Sequence, residues 1–68
     1  MKSLKELYEM NNQDLDRYIF TYYSGNTNKK ARQELMQILT GEKIPVAKCG
    51  VHALIEKIIE KKKELQND

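Results

Sequence analysis

The chain has 68 residues, which is enough for one domain with a small hydrophobic core. Its 12 basic and 10 acidic residues leave a net charge of +2, so charge alone indicates neither a nucleic-acid nor a membrane partner. A single cysteine, Cys49, excludes a disulfide within the chain and favours a reducing compartment, which predicts a cytoplasmic location.

The first predicted element begins with a capping box, in which Ser3 is followed three positions later by Glu6. Either Asn11 or Asn12 can cap a further helix, so residues 3–24 form either two helices or one bent helix. The start is charged and amphipathic, and we therefore expect no signal peptide. No apolar run approaches the roughly 18 residues of a membrane span, so no membrane partner is expected.

Most of the aromatic side chains fall in the next segment, within six positions. They are Tyr18, Phe20, Tyr22 and Tyr23. On a helix, Tyr18 and Tyr22 continue the aliphatic stripe, Phe20 points away from it and Tyr23 lies at its edge. The tyrosines either seal the core with their hydroxyls in water or belong to a docking surface, where Tyr and Phe are enriched. The second alternative predicts contact with a protein partner or a second copy, mainly through Phe20 and Tyr23.

A short polar turn after Gly25 leads into a third helical segment with a basic start. The candidate anion-binding residues there are Asn28, Lys29, Lys30 and Arg32. Cations in a first helical turn oppose the helix macrodipole, so an external phosphate or carboxylate is a plausible partner for them and for the backbone N–H groups. The alternative is a solvated surface whose charges are screened by salt.

Two further apolar stripes follow with helical spacing. The first consists of Ala31, Leu35, Ile38 and Leu39 and ends at Gly41. After a connector over residues 41–50, which Pro45 makes partly extended, the second consists of Val51, Leu54, Ile55, Ile58 and Ile59. We expect this last helix, about Val51 to Glu64, to be the main core element. No segment alternates with a period of two, so the prediction is an all-α fold, a compact bundle of three or four short helices in a single domain over residues 1–68.

Catalytic and metal chemistry have little support in the sequence. Cys49 and His52 have the spacing of half a zinc site, but four ligands are needed and the chain holds one Cys and one His. A site shared across a two-fold axis between two copies is geometrically conceivable. There is no Gly-rich phosphate loop, and His52 has no acid or nucleophile at a telling spacing. We therefore expect no enzyme activity, no metal and no cofactor.

Two local patterns resemble known proteins. Residues 33–59 resemble the helix, extended loop and helix of SAP-type DNA-binding modules through Leu35, Leu39 and Gly41, Ile44-Pro45-Val46, Gly50 and Leu54-Ile55-Glu56-Lys57-Ile58. The loop between Pro45 and Gly50 is longer than in that family, and Val51 stands where a basic residue is expected, so we do not assign the chain to it. Residues 7–19 resemble the opening of short bacterial, notably cyanobacterial, proteins of unknown function through Leu7, Met10, Leu15 and Tyr18-Ile19. That resemblance implies a bacterial origin and carries no biochemical assignment.

The functional expectation is a small, non-enzymatic protein–protein interaction module, with self-association as one form. It depends on the excess of aromatic and aliphatic residues over what so short a chain can bury alone. The less favoured alternative is a nucleic-acid-binding module. Its basic residues would be Lys29, Lys30, Arg32, Lys43 and Lys48.

Overall fold

Four α-helices make up the fold in the computed structural model, which describes residues 2–66. They are α1 (Leu4–Glu9), α2 (Asn12–Tyr22), α3 (Lys29–Thr40) and α4 (Val51–Gln66). Short 3₁₀ turns, Asn26–Asn28 and Val46–Lys48, precede α3 and α4. The described part of the chain contains no strand, and the predicted all-α bundle is confirmed with the larger of the two predicted helix numbers. No helix in residues 2–66 is both long and apolar enough to span a bilayer.

The first 24 residues contain two helices because each has its own N-cap. The Ser3 hydroxyl accepts a hydrogen bond from the Glu6 N–H, and the Glu6 carboxylate accepts one from the Ser3 N–H, which confirms the predicted capping box. The Asn11 side chain accepts a hydrogen bond of 2.8 Å from the Asp14 N–H. Of the two candidate asparagines, Asn11 is therefore the cap of α2.

Helix α4 is the centre of the bundle, and each of the other three helices packs on it. Leu54, Ile55 and Ile58 are buried, which confirms that α4 is the main core element. Lys62 takes the next position on the same stripe and is half-buried. Its ammonium donates a hydrogen bond to the Met10 carbonyl, between α1 and α2. The lysine thereby ties the junction of α1 and α2 to the central helix.

Helices α3 and α4 run in the same direction. Near their starts, Arg32 of α3 donates to the carbonyl of Cys49, two residues before α4. Further along both helices, Thr40 of α3 and Glu60 of α4 line the same groove. Parallel neighbours need a connector that returns along their length, and residues 41–50 are that connector.

Helix α2 runs antiparallel to α3 and α4. The ring of Phe20, close to the end of α2, lies against the ring of His52 at the start of α4, with centroids 5.5 Å apart. The C-terminal end of α2 and the N-terminal ends of α3 and α4 therefore share one end of the bundle. The candidate residues after Gly25 lie at this end.

One stripe assignment from the sequence is wrong. Ile38 was predicted to face the core but is 64% exposed, whereas Met36 is buried. Arg32, Leu35 and Leu39 define the buried face of α3, and Met36 lies next to them at helical spacing. Ile38 lies outside this face, since at about 100° per residue it is about 100° from Leu39 and about 160° from Met36 around the helix. The predicted end of this helix at Gly41 is confirmed, because Gly41 has the left-handed φ of 76° that favours glycine.

Candidate functional site

The aromatic cluster is divided between core and surface. Tyr18 and Tyr23 are buried, whereas Phe20 is 46% and Tyr22 57% exposed. The sequence predicted Tyr22 on the buried stripe and Tyr23 at its edge, whereas in the structure Tyr23 is buried and Tyr22 is exposed. The buried stripe continues from Ile19 to Tyr23, four positions on, while the ring of Tyr22 covers that of Tyr18 at a centroid distance of 4.8 Å.

The two buried tyrosines belong to the core. The Tyr18 hydroxyl accepts a hydrogen bond of 3.0 Å from the Lys2 backbone N–H, which fixes the chain before α1. Burial raises the pKa of the Tyr23 hydroxyl, and the neighbouring Tyr18 raises it further. Only Phe20 and Tyr22 of the four predicted interaction residues remain on the surface.

The exposed aromatic side chains do not form the single docking surface that the sequence predicted. Phe20 and Tyr22 are two positions apart on α2, so they project about 200° from each other around the helix. Phe20 packs edge-on against His52, with an angle of 74° between the rings. The other large exposed apolar residues lie on separate elements and are Ile38, Val46 and Leu65. Isolated apolar residues of this kind are normal on a protein surface.

Arg32 is the main correction to the predicted anion site, because its side chain is buried. Its Nε donates to the Cys49 carbonyl at 2.9 Å. Its Nη1 donates to the carbonyls of Tyr23 at 2.6 Å and Gly25 at 2.8 Å. Arg32 shares the buried face of α3 with Leu35, and their spacing in the sequence was the signal that could have placed it inside.

The other predicted residues remain at the start of α3. Lys29 and Lys30 are exposed in its first turn, which contains no acidic residue. Asn28 is the N-cap residue, but its side chain makes no capping hydrogen bond. Instead, its amide nitrogen donates to the Ser24 carbonyl at 2.7 Å. The N–H groups that begin α3 therefore lack the side-chain acceptor that α1 and α2 both have.

We use the name basic end for Lys29, Lys30 and the N-terminal turns of α3 and α4. Neither first turn holds an acidic residue, and the ion pairs found in residues 2–66 include neither lysine. Both helix macrodipoles present their positive ends here. The charge of Arg32 adds to this potential, since carbonyl dipoles rather than a carboxylate surround its guanidinium.

The structure separates the remaining predicted basic residues from this end. Lys43 follows the far end of α3, which is about 18 Å long by the usual helical rise. Lys48 lies just before α4, but its side chain lines the groove between α3, the connector and α4. Lys48 is therefore at the margin of the basic end, and Lys43 does not belong to it.

That groove has a volume of about 440 Å³ and mixed chemistry. Its apolar lining comes from Met36, Ile44 and Ala53. Its charged lining residues are Glu42, Lys48, Glu56, Lys57 and Glu60. Lys57 and Glu60 pair with each other at 3.3 Å. The groove thus mixes three carboxylates with two lysines and presents no single sign of charge.

Cys49 and His52 face different surroundings and do not form the half zinc site considered from their spacing. The buried Cys49 thiol lies 3.6 Å from the Ile44 carbonyl, whereas the His52 ring contacts Phe20 on the surface. Within residues 2–66, no three His, Cys, Asp or Glu side chains are grouped so that they could hold a metal ion.

Comparison with protein-family models, curated protein sequences and solved structures finds no match to this chain. The resemblances to SAP-type modules and to short bacterial proteins stay predictions from the sequence.

Proposed function

We propose that this protein is a non-enzymatic binding module whose basic end takes the phosphate backbone of a nucleic acid. The observation that carries the proposal is that Arg32 of α3 binds the Cys49 carbonyl just before α4, so both helix N-termini lie at the end of the bundle where α3 begins with the exposed Lys29 and Lys30, and neither first turn holds a carboxylate. From the sequence alone, protein binding was the favoured function and nucleic-acid binding the alternative. The geometry supports it better, because two of the four aromatic residues are buried while both lysines remain exposed.

The energetics of α3 favour an external anion. The helix macrodipole disfavours cations in the first turn, and each exposed cation there costs roughly 0.3–1 kcal/mol. The start of α3 also has no side-chain cap, since the 3₁₀ turn Asn26–Asn28 runs directly into it and Asn28 makes no capping hydrogen bond. A phosphate at this position would relieve the repulsion and accept hydrogen bonds from the N–H groups.

A site of this size fits a modest, salt-sensitive affinity. Two lysines and two helix ends can neutralise about two or three phosphates, and the logarithm of the binding constant falls by roughly 0.7–0.9 for each phosphate per tenfold rise in salt. The net charge of +2 adds little attraction at longer range. A cytoplasmic location, where nucleic acid and a reduced Cys49 thiol occur together, belongs to the same proposal.

Titration with labelled oligonucleotides tests this function directly. We expect binding of single-stranded or duplex oligonucleotides at low salt, with a logarithmic salt slope of about −2. Fluorescence anisotropy at four or five salt concentrations measures the slope. Binding that is absent at low salt, or that does not depend on salt, would contradict the proposal.

A second candidate function is self-association through Phe20. The supporting observation is that the half-exposed Phe20 ring is held in a defined orientation by His52. An aromatic side chain fixed in this way loses little entropy on docking, and aromatic residues are enriched at interfaces. A two-fold dimer would bury the same ring pair twice.

Replacing Phe20 by serine tests the second candidate. If Phe20 is a contact residue, the mass measured by sedimentation falls from dimer toward monomer in Phe20→Ser. Tyr22→Ser is the matched control, since it removes an equally exposed aromatic residue from another side of α2. A wild-type protein that stays monomeric at high concentration would exclude self-association, and a dimer unaffected by Phe20→Ser would exclude Phe20 as its contact.

A further inference from the structure

We infer that Arg32 is the positioning residue of the basic end, which couples the two loops from which α3 and α4 begin. Its consequence for binding rests on the proposed function, whereas the coupling itself does not. The side chain is nine-tenths buried and was expected on the surface as an anion ligand. Its three hydrogen bonds show another use for the same cation.

The guanidinium bonds to two loops that are distant in sequence. Its Nη1 donates to Tyr23 and Gly25, at the end of α2 and in the loop that follows. Its Nε donates to Cys49, 17 positions after Arg32 and two residues before the start of α4. A planar guanidinium fixes these directions relative to each other, which a lysine ammonium on a flexible stem cannot do.

The Tyr23 carbonyl at the end of α2 is stabilised by the charge of Arg32. The last turn of α2 contains no basic residue, so the Tyr23 carbonyl at its C-cap has no cation from its own helix. A cation there is favoured by the macrodipole and supplies a hydrogen bond that the helix end lacks. Arg32 thus stabilises the end of α2 while belonging to α3.

Gly25 has a backbone conformation that matches the same role. Its φ of 92° and ψ of 162° fall in a region that is essentially restricted to glycine. A Cβ at Gly25 would meet no atom within 4 Å, so backbone conformation rather than space requires glycine here. With this conformation, the Gly25 carbonyl accepts a hydrogen bond from Arg32, and glycine and arginine act as a pair.

The coupling determines where the binding groups lie. Lys29 and Lys30 follow the first loop, and the N-terminal turn of α4 follows the second. If the guanidinium is lost, the two loops can move independently, and the two helix N-termini no longer present one surface. Arg32 would then affect the affinity for phosphate without touching the phosphate.

Two substitutions at Arg32 separate positioning from charge. Arg32→Lys keeps the charge, and Arg32→Met removes it while keeping a long side chain. We expect both to weaken oligonucleotide binding at low salt by roughly tenfold or more, the usual effect of removing a group that orients ligands. Under a purely electrostatic role, Arg32→Lys would bind as the wild type does, and that result would overturn the inference.

Hydrogen exchange measures the coupling without any ligand. We expect the amides of residues 23–28 and of residues 48–50 to exchange faster together in both Arg32 variants, while those of α1 change little. Faster exchange in only one loop would overturn the inference. If the wild type binds no oligonucleotide, the proposed function fails, and the exchange result still decides whether Arg32 couples the loops.

A third variant keeps the test decisive if the Arg32 variants do not fold. Gly25→Ala strains the backbone at φ 92° and displaces the carbonyl that Arg32 binds, while the arginine itself remains. We expect it to speed exchange in both loops, because the displaced carbonyl disturbs the shared guanidinium. Faster exchange around residue 25 alone would contradict the coupling.

Discussion

The substitution Ile58→Ala is expected to lower the free energy of unfolding by about 2–4 kcal/mol. Ile58 is 0% exposed and lies on α4, the helix on which α1, α2 and α3 all pack. The loss combines the transfer free energy of the removed methyl groups with the cavity left behind. Domains of this size have total stabilities toward the low end of about 5–15 kcal/mol, so the substitution should remove roughly half of the stability or more.

Urea denaturation followed by circular dichroism measures this change. Ile38→Ala is the matched control, because it makes the same chemical change in a helix at a side chain that is largely exposed. Its effect should stay within about 0.5 kcal/mol, as for most surface substitutions. Equal midpoints for the two variants and the wild type would show that the α4 stripe is not the core.

The parts of the fold that could be predicted from the sequence depend on neighbours within a few positions. A capping box needs only Ser3 and Glu6, and a left-handed helix end needs only Gly41. The stripe of α4 is regular enough that its buried face hardly depends on which helices cover it. Local patterns of this kind are sufficient for the number and type of the helices.

The wrong assignments all depend on contacts between distant segments. Whether Tyr22 or Tyr23 is buried at the end of α2 depends on the side on which the core lies. Arg32 has the spacing of a core residue, but burial of a guanidinium is acceptable only with acceptors in place. Those acceptors come from loops up to 17 positions away, and no local pattern contains them.

The candidate site shows the same division. The basic residues at 29 and 30 were visible in the sequence, whereas the second helix N-terminus beside them was not. It reaches this end because the connector over residues 41–50 runs back along α3, which makes α3 and α4 parallel. Lys43 lies at the start of this connector, near the far end of α3, and therefore does not belong with the predicted nucleic-acid-binding residues.

The double substitution Lys29→Glu/Lys30→Glu should abolish oligonucleotide binding and at the same time stabilise the fold. It changes the net charge from +2 to −2 and places two carboxylates where phosphates are proposed to bind. Acidic residues in the first turn of a helix are favoured by the macrodipole and cations are disfavoured, so the free energy of unfolding should rise by about 1 kcal/mol or more. Lost binding therefore cannot be attributed to lost structure.

The matched control for this double variant is Lys5→Glu/Lys63→Glu. It makes the same change in net charge at exposed positions on α1 and α4, away from the basic end. If binding depends on the local arrangement, the control should keep most of its affinity at low salt, while the variant at positions 29 and 30 shows none by fluorescence anisotropy. Equal losses would mean that only the overall charge matters, because positions 5 and 63 lie outside the basic end and change binding only through the net charge. That outcome would reject the basic end as a binding surface and leave self-association through Phe20 as the remaining proposal.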